Sequence, residues 1–239
     1  MILDRRTLLT SLALAPSIAL AREAASLWTF DFETHDKPYD PRAGHGWEPG
    51  PGRLFSVKVP EGDYRVTLDL GGDQASETTV KAESRRLMLE SVRVAAGKTD
   101  TRTLIVNVRR PDLAPPPPNA PGGTRVLLNA REEGSFDWDE KLTLEFCGPT
   151  AAVRRARIEP VTVPTVFLAG DSTVTDQRFE PAAGWGQMLP RVFKPELSVA
   201  NHAESGETLK SFLIERRLDK ILSRIKPGDW LLIQFGHND

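Results

Sequence analysis

Three short polar clusters near the end of the 239-residue sequence carry the side chains best suited to chemistry. Gly170-Asp171-Ser172-Thr173 follows the apolar run VFLA, residues 201–206 follow LSVA, and residues 236–239 (GHND) follow WLLIQF. A serine on a tight turn after a buried strand is either an exposed nucleophile or a cap for the free N–H groups of a helix. The Gly-Asp-Ser cluster taken alone leaves both interpretations open.

The segment that positions these clusters alternates apolar strands with helices. The runs TVFLAG, LSVAN and WLLIQF predict strands, a short helix is predicted over 184–193, and apolar residues at three- and four-residue steps predict a longer helix over 208–225. This order predicts the start of a parallel, doubly wound α/β sheet. Sites in such sheets form beyond the carboxyl ends of the strands, so we expect the three clusters to share one rim.

The preceding part of the chain has a different pattern. From Leu27 to about Gly148, apolar residues recur at every second position, as in WTFDFE and YRVTLDL, and Gly, Pro and Asp separate the runs. Short strands without helical periodicity predict an antiparallel β-sandwich. The run PDLAPPPPNAPGG at 111–123 predicts a stiff surface loop. We therefore predict two domains, with a sandwich over 22–150, a linker over 151–163 and the α/β segment over 164–239.

Taken in order, the three clusters resemble the sequence blocks of the SGNH (GDSL-like) hydrolases. LAGDSTVTDQ, GWGQMLP, NHAESGETLKSF and QFGHND resemble the rhamnogalacturonan (pectin) acetylesterase branch, over about residues 164–239. The resemblance implies a flavodoxin-like α/β fold and removal of acetyl groups from pectic polysaccharide. It implies Ser172 as nucleophile, with an oxyanion hole formed by its own N–H, the N–H of Gly206 and the side-chain amide of Asn238. The residues expected to shape the turns, without reacting, are Asp171, Thr173, Trp185, His237 and Asp239.

A serine nucleophile also needs a general base and a carboxylate that orients it. The family resemblance implies that both come from a later Asp-x-x-His block, which is absent from this sequence. The histidines present, at 35, 45, 202 and 237, are poor substitutes, because two precede the α/β segment and His237 belongs to the third cluster itself. The apolar strand WLLIQF would also lie on an open edge. We therefore expect a chain truncated after the third cluster, with an incomplete α/β domain and no activity by itself.

Composition excludes several other classes of function. The formal net charge is −2 and the basic residues are dispersed, which argues against nucleic-acid binding. The single cysteine, Cys147, cannot form a disulfide within the chain and is expected to be a small buried apolar side chain. No metal or redox motif occurs, so we expect neither a metal nor a cofactor.

The first 21 residues are predicted to be an export signal. Arg5 and Arg6 precede an apolar stretch that ends in Ala19-Leu20-Ala21, a small-x-small cleavage pattern. The paired arginines resemble a bacterial twin-arginine signal, and an ordinary secretory signal is the alternative. The apolar stretch is short and contains Pro16, so no membrane association is expected after cleavage. The mature protein is expected in the periplasm or outside the cell.

The predicted sandwich resembles the galactose-binding-like or carbohydrate-binding domains that precede some such esterases. Trp47, Trp138 and Tyr39 lie in turn-like segments and either stack on sugars or pack at the rim of the sandwich. Three functions follow: an acetylesterase on acetylated plant cell-wall polysaccharide, another SGNH lipase or acylhydrolase, and a non-catalytic carbohydrate-binding protein.

Overall fold

The computed structural model describes residues 27–113 and 123–239. The predicted export signal and most of the proline-rich run lie outside the described residues. No helix within the described ranges is long and apolar enough to cross a membrane.

The first part of the chain forms two antiparallel sheets. One sheet has the strand order β1-β9-β4-β7 and the other β2-β3-β8-β5-β6. The strands are β1 (Trp28–Asp31), β2 (His45–Trp47), β3 (Leu54–Lys58), β4 (Gly62–Leu70), β5 (Ser76–Ala82), β6 (Arg86–Val94), β7 (Asp100–Val108), β8 (Lys141–Thr150) and β9 (Val153–Val161), with a 3₁₀ turn at Phe136–Trp138 before β8.

Strict alternation of apolar and polar side chains gives these sheets one shared core. Along β4, Val66, Leu68 and Leu70 are fully buried, whereas the residues between them are partly exposed. Since successive side chains of a strand point to opposite faces, one face of each sheet supplies the core. Buried residues of both sheets form a single apolar cluster, so the two sheets pack as a sandwich. The antiparallel sheets predicted for this part of the chain are present.

The segment predicted as a linker, 151–163, is instead part of the sandwich. Strand β9 occupies most of it and pairs with both β1 and β4. Ala156 and Ile158 of this strand are fully buried in the sandwich core. The prediction of a linker was wrong. The arginines and Pro160 of VRRARIEPV are not typical of a core strand, but alternate residues of the segment point inward.

A charge placed in β9 should therefore unfold the sandwich. Replacing Ile158 with aspartate buries a carboxylate without a partner and removes a fully buried side chain, which should cost on the order of 5 kcal/mol. The matched control is Arg157→Asp, one residue away on the exposed face of the strand. Urea unfolding monitored by circular dichroism measures both losses. Equal, small losses in the two variants would contradict the placement of β9.

The second part of the chain contains a parallel sheet with the order β11-β10-β12. Strand β10 lies between the other two and is buried along its whole length, as its continuous apolar sequence predicts. The order 2-1-3 along the chain is the one with which a flavodoxin-like sheet begins. The elements are β10 (Thr165–Gly170), α1 (Trp185–Met188) followed by a 3₁₀ turn (Leu189–Val192), β11 (Ser198–Asn201), α2 (Leu209–Ile214), α3 (Arg217–Leu222) and β12 (Trp230–Gln234).

The helix predicted over 208–225 is divided in two. Arg216 has a left-handed backbone conformation, with φ of 62°, between α2 and α3. This break turns Arg217 and Lys220 toward the antiparallel part, where Arg217 pairs with Glu132 and Lys220 pairs with Glu61. Helical periodicity did not predict the break, because its cause lies in these distant partners.

Strand β12 has an apolar sequence but an exposed position. It pairs with β10 along one edge, and Trp230 and Ile233 are 65% and 61% exposed. The sequence pattern of this strand is that of a strand buried on both faces. Its exposure is the clearest mismatch between pattern and burial among the described residues.

Candidate active site

The three polar clusters lie together beyond the carboxyl ends of the parallel strands. The first follows β10, the second follows β11 and the third follows β12. The backbone N–H of Glu204 donates to the carbonyl of Gly170 at 3.2 Å, and Thr175 Oγ1 donates to the carbonyl of Ala203 at 2.7 Å. These bonds join the first turn to the second at the rim.

Asp171 holds the serine turn and connects it to the third cluster. Its Oδ1 accepts hydrogen bonds from the backbone N–H and the hydroxyl of Thr173, at 3.0 and 2.8 Å. Its Oδ2 accepts from the backbone N–H of His237 at 3.4 Å. Burial alone would raise the pKa of Asp171, but the bonds from Thr173 and His237 hold that pKa below its usual value. Asp171 is thus an ionised side chain that organises the turn.

The second and third clusters are also joined. The side-chain amide of Asn238 donates to the carbonyl of Glu207 at 3.1 Å, and Asp239 accepts from the backbone N–H of Leu209 at 3.0 Å. Gly206, the last residue of the second cluster, precedes Glu207 and has φ of 82°, a conformation that favours glycine. The backbone N–H of Gly206 and the amide of Asn238 therefore belong to neighbouring turns on one rim.

Ser172 is half-buried in the first turn. Its hydroxyl makes no hydrogen bond to another side chain within the described ranges, whereas its backbone carbonyl accepts from Gln177 Nε2 at 3.0 Å. The same Nε2 donates to Ser205 Oγ at 3.0 Å. Gln177 therefore clamps the serine turn to the residue before Gly206. Sequence reasoning missed this role, although Gln177 closes the block LAGDSTVTDQ.

Trp185 and Gln234 brace the opposite side of the serine turn. The indole N–H of Trp185 donates to Gln234 Oε1 at 2.6 Å, and Gln234 Nε2 donates to Thr173 Oγ1 at 2.7 Å. The backbone N–H of Trp185 also donates to the carbonyl of Thr173 at 2.8 Å. Through these contacts, Trp185 and Thr173 help to hold the conformation of the serine turn.

A buried ionic cluster attaches the sandwich to this turn. Arg86 of β6 is 1% exposed, and its Nε lies 2.6 Å from Asp176 Oδ2. Its Nη2 lies 3.3 Å from Asp137 Oδ1, and Asn201 Nδ2 donates to Asp176 Oδ1 at 2.8 Å. Burial alone would lower the pKa of Arg86, but the negative charges of Asp176 and Asp137 outweigh burial and raise this pKa above its usual value. Arg86 therefore stays charged and fixes Asp176, the neighbour of Gln177.

The turn between β5 and β6 forms part of the same contact. Glu83 and Ser84 in this turn are each 3% exposed. Arg85 donates to the carbonyl of Gln177 at 3.0 Å, and Gln187 Nε2 donates to the carbonyls of both Ser84 and Gln177. The sandwich therefore supports the serine turn directly, through contacts that sequence reasoning did not predict.

None of the chain's histidines is hydrogen-bonded to Ser172 Oγ. His35 and His45 lie in the sandwich, where their rings pack on Phe30. His202 is 2% exposed, and burial together with Arg109 lowers its pKa well below the usual value. His237 contributes its backbone N–H to Asp171. Within residues 27–113 and 123–239, no group of three or more potential metal ligands is clustered.

The aromatic residues considered for sugar stacking are engaged in packing. Trp47 packs against Phe32, Phe55 and Phe146, and its indole N–H donates to the carbonyl of His35. Trp138 is 7% exposed. The remaining candidate, Tyr39, is half-buried and has the ammonium of a lysine 5.0 Å from its ring centroid. Cys147 is a free, half-buried thiol in β8.

Comparison with known proteins reveals homologous esterases. No protein-family model matches the chain. Over 76 residues it is 53% identical to rhamnogalacturonan acetylesterase RhgT of Bacillus subtilis, a stretch that covers 31% of this chain and 33% of that protein. Over 75 residues it is 36% identical to the rhamnogalacturonan acetylesterase of Emericella nidulans, covering 31% and 28%. Its homologues are carbohydrate esterases.

A longer but weaker similarity extends across most of the chain. The chain is 29% identical over 189 residues to the uncharacterized esterase YxiM of Bacillus subtilis, covering 77% of this chain and 43% of that protein. The solved structure of YxiM is 24% identical, with a TM-score of 0.36 over 90% of this chain and 65% of that chain. The matched stretches thus span 28% to 43% of the lengths of these curated relatives.

Proposed function

We propose that this chain belongs to an exported serine esterase that removes acetyl groups from pectic polysaccharide. The observation that carries the proposal is the 53% identity to a rhamnogalacturonan acetylesterase. The arrangement of the three turns supports it, because Ser172, Gly206 and Asn238 lie on one hydrogen-bonded rim.

The proposed reaction proceeds through an acetyl-serine. Ser172 Oγ attacks the acetyl carbonyl and loses its proton to a base; the bond from the acetyl carbon to the sugar oxygen then breaks, and that oxygen takes up the proton and leaves as a hydroxyl. Water then releases acetate and restores the serine. The backbone N–H groups of Ser172 and Gly206 and the amide of Asn238 would stabilise the negative oxygen of each tetrahedral intermediate. These donors carry no net charge, so they can stabilise the negative oxygen without forming an ion pair with a nearby carboxylate.

None of these residues supplies the general base that the reaction needs. His202 is buried and neutral, and the other histidines bond or pack elsewhere. We therefore propose that the 239-residue chain by itself lacks esterase activity.

The proposal is tested by the substrate range and cellular location of the activity. Cells expressing the complete gene that contains this sequence should release acetate from acetylated rhamnogalacturonan faster than they hydrolyse long-chain p-nitrophenyl esters, and the activity should appear in the periplasmic or culture fraction. Preference for long acyl chains would favour the lipase or acylhydrolase alternative. Polysaccharide binding without acetate release would favour the non-catalytic alternative.

A further inference from the structure

A cavity of about 330 Å³ lies beside the serine turn. Its walls come from the loop 129–138 of the antiparallel part and from the turns that follow β10 and β11. Gln177 and Ser205 line it, and Gln177 is the residue that donates to the carbonyl of Ser172. Gln177, in the wall of the cavity, is therefore hydrogen-bonded to the backbone of the proposed nucleophile. The volume of the cavity is in the range of ligand sites.

The lining combines an aromatic rim with polar groups. Phe179 is 71% exposed at the cavity, and the guanidinium of Arg178 lies 5.3 Å from the centroid of its ring. Trp138 lines the cavity from within the protein, and Ser135 contributes a hydroxyl. A pyranose ring has an apolar C–H face and a periphery of oxygen atoms, which match an aromatic ring and hydrogen-bonding groups respectively.

Arg109 adds a buried positive charge to the wall of the cavity. Its side chain is 4% exposed and lines the cavity. Its Nη2 lies 3.9 Å from both Asp137 and Asp176, whereas Nε and Nη1 have no hydrogen-bond partner within the described parts of the chain. Both nitrogens are shielded from solvent, so Arg109 brings a positive charge to the wall of the cavity and not these two hydrogen-bond donors.

We propose that this cavity binds a sugar residue of the polysaccharide next to the residue that carries the acetyl group. The inference rests on the proposed function, in which Ser172 acts on a polymer. Phe179 would stack on the sugar ring, and polar lining residues such as Gln177 and Ser205 would face its oxygens. Recognition of the polysaccharide then occurs where the sandwich meets the serine turn, and the sandwich contributes Arg109 and the loop 129–138 to it.

The test is binding of a deacetylated rhamnogalacturonan oligosaccharide to the 239-residue chain, measured by isothermal titration calorimetry. This probe has no ester, so the measurement does not depend on hydrolysis. Phe179→Ala should weaken binding by about fivefold to tenfold. The matched control is Trp230→Ala, which removes an equally exposed aromatic ring at the amino end of β12, the end away from the site, and should leave Kd unchanged.

Thermal melts of both variants verify that each is folded. The proposal is overturned if the folded parent chain does not bind the oligosaccharide, or if Phe179→Ala binds as tightly as Trp230→Ala. Failure of the proposed function gives a different result, namely binding that depends on Phe179 together with no acetate release by the complete gene that contains this sequence.

Discussion

Replacing Ser172 with alanine in the complete gene that contains this sequence is expected to lower acetate release by a factor on the order of 10⁴ or more. The substitution removes the only atom that can form the acetyl-enzyme in the proposed mechanism. Ser172 is half-buried and its hydroxyl bonds to no other described side chain, so the fold should be unaffected. Acetate release from acetylated rhamnogalacturonan measures the effect, and the midpoint of thermal unfolding verifies the fold.

Ser205→Ala is the matched control, because it removes a hydroxyl of the neighbouring turn. Ser205 accepts one hydrogen bond from Gln177, and losing it should reduce activity by at most about tenfold. Comparable losses in the two variants would exclude Ser172 as the nucleophile.

In the 239-residue chain, added imidazole should stimulate hydrolysis of p-nitrophenyl acetate more than it does in Ser172→Ala, since imidazole can replace a missing general base. Equal stimulation of both proteins would contradict that interpretation.

Replacing Arg86 with methionine is expected to reduce the free energy of unfolding by about 3–5 kcal/mol. The substitution keeps much of the side-chain volume but leaves Asp176 and Asp137 buried without their closest cation. Arg109, 3.9 Å from both carboxylates, compensates only in part. The matched control is Arg102→Met, which breaks an exposed pair with Asp100 and should cost less than about 1 kcal/mol. Urea unfolding at neutral pH measures both losses.

The loss in Arg86→Met should also depend on pH. Burial raises the pKa of Asp176 above its ordinary value, and the positive charge of Arg86 opposes that rise. Without Arg86 the folded state takes up a proton at a pH where the unfolded state does not, so the variant gains stability as the pH falls. The difference between wild type and variant should shrink as the pH falls from neutral toward the ordinary pKa of an aspartate. A difference that is constant or grows on acidification would contradict the ion pair as its cause.

The candidate site shows which structural features the local sequence predicts and which it does not. The apolar runs before Gly170, Asn201 and Gly236 predicted three strands and placed the polar clusters at their ends, and the structure has those strands in parallel. This succeeded because strand burial and strand ends are encoded by neighbouring residues. The residues that tie the clusters together, Gln177 above all, gave no comparable signal. A glutamine looks the same in a sequence whether it faces solvent or bonds two turns.

Two elements of the fold were misjudged for a related reason. Strand β9 contains three arginines and a proline, and only its pairing with β1 and β4 makes it a strand of the core. The helix over 208–225 has continuous periodicity, and it breaks at Arg216 where the backbone carbonyl of Glu215 accepts from Leu127 and Arg217 pairs with Glu132. In each case partners far away in the chain override the local preference.

The sequence by itself determined the alternating strands of the sandwich, the parallel strands and the serine turn, because each depends on the spacing of residues close together in the chain. Only the tertiary structure decided that the sandwich supports that turn. Arg86 and Asp176 are 90 positions apart and would each be assigned to the surface by composition. They are buried because each neutralises the other, and a pairing across that distance is a property of the folded chain alone.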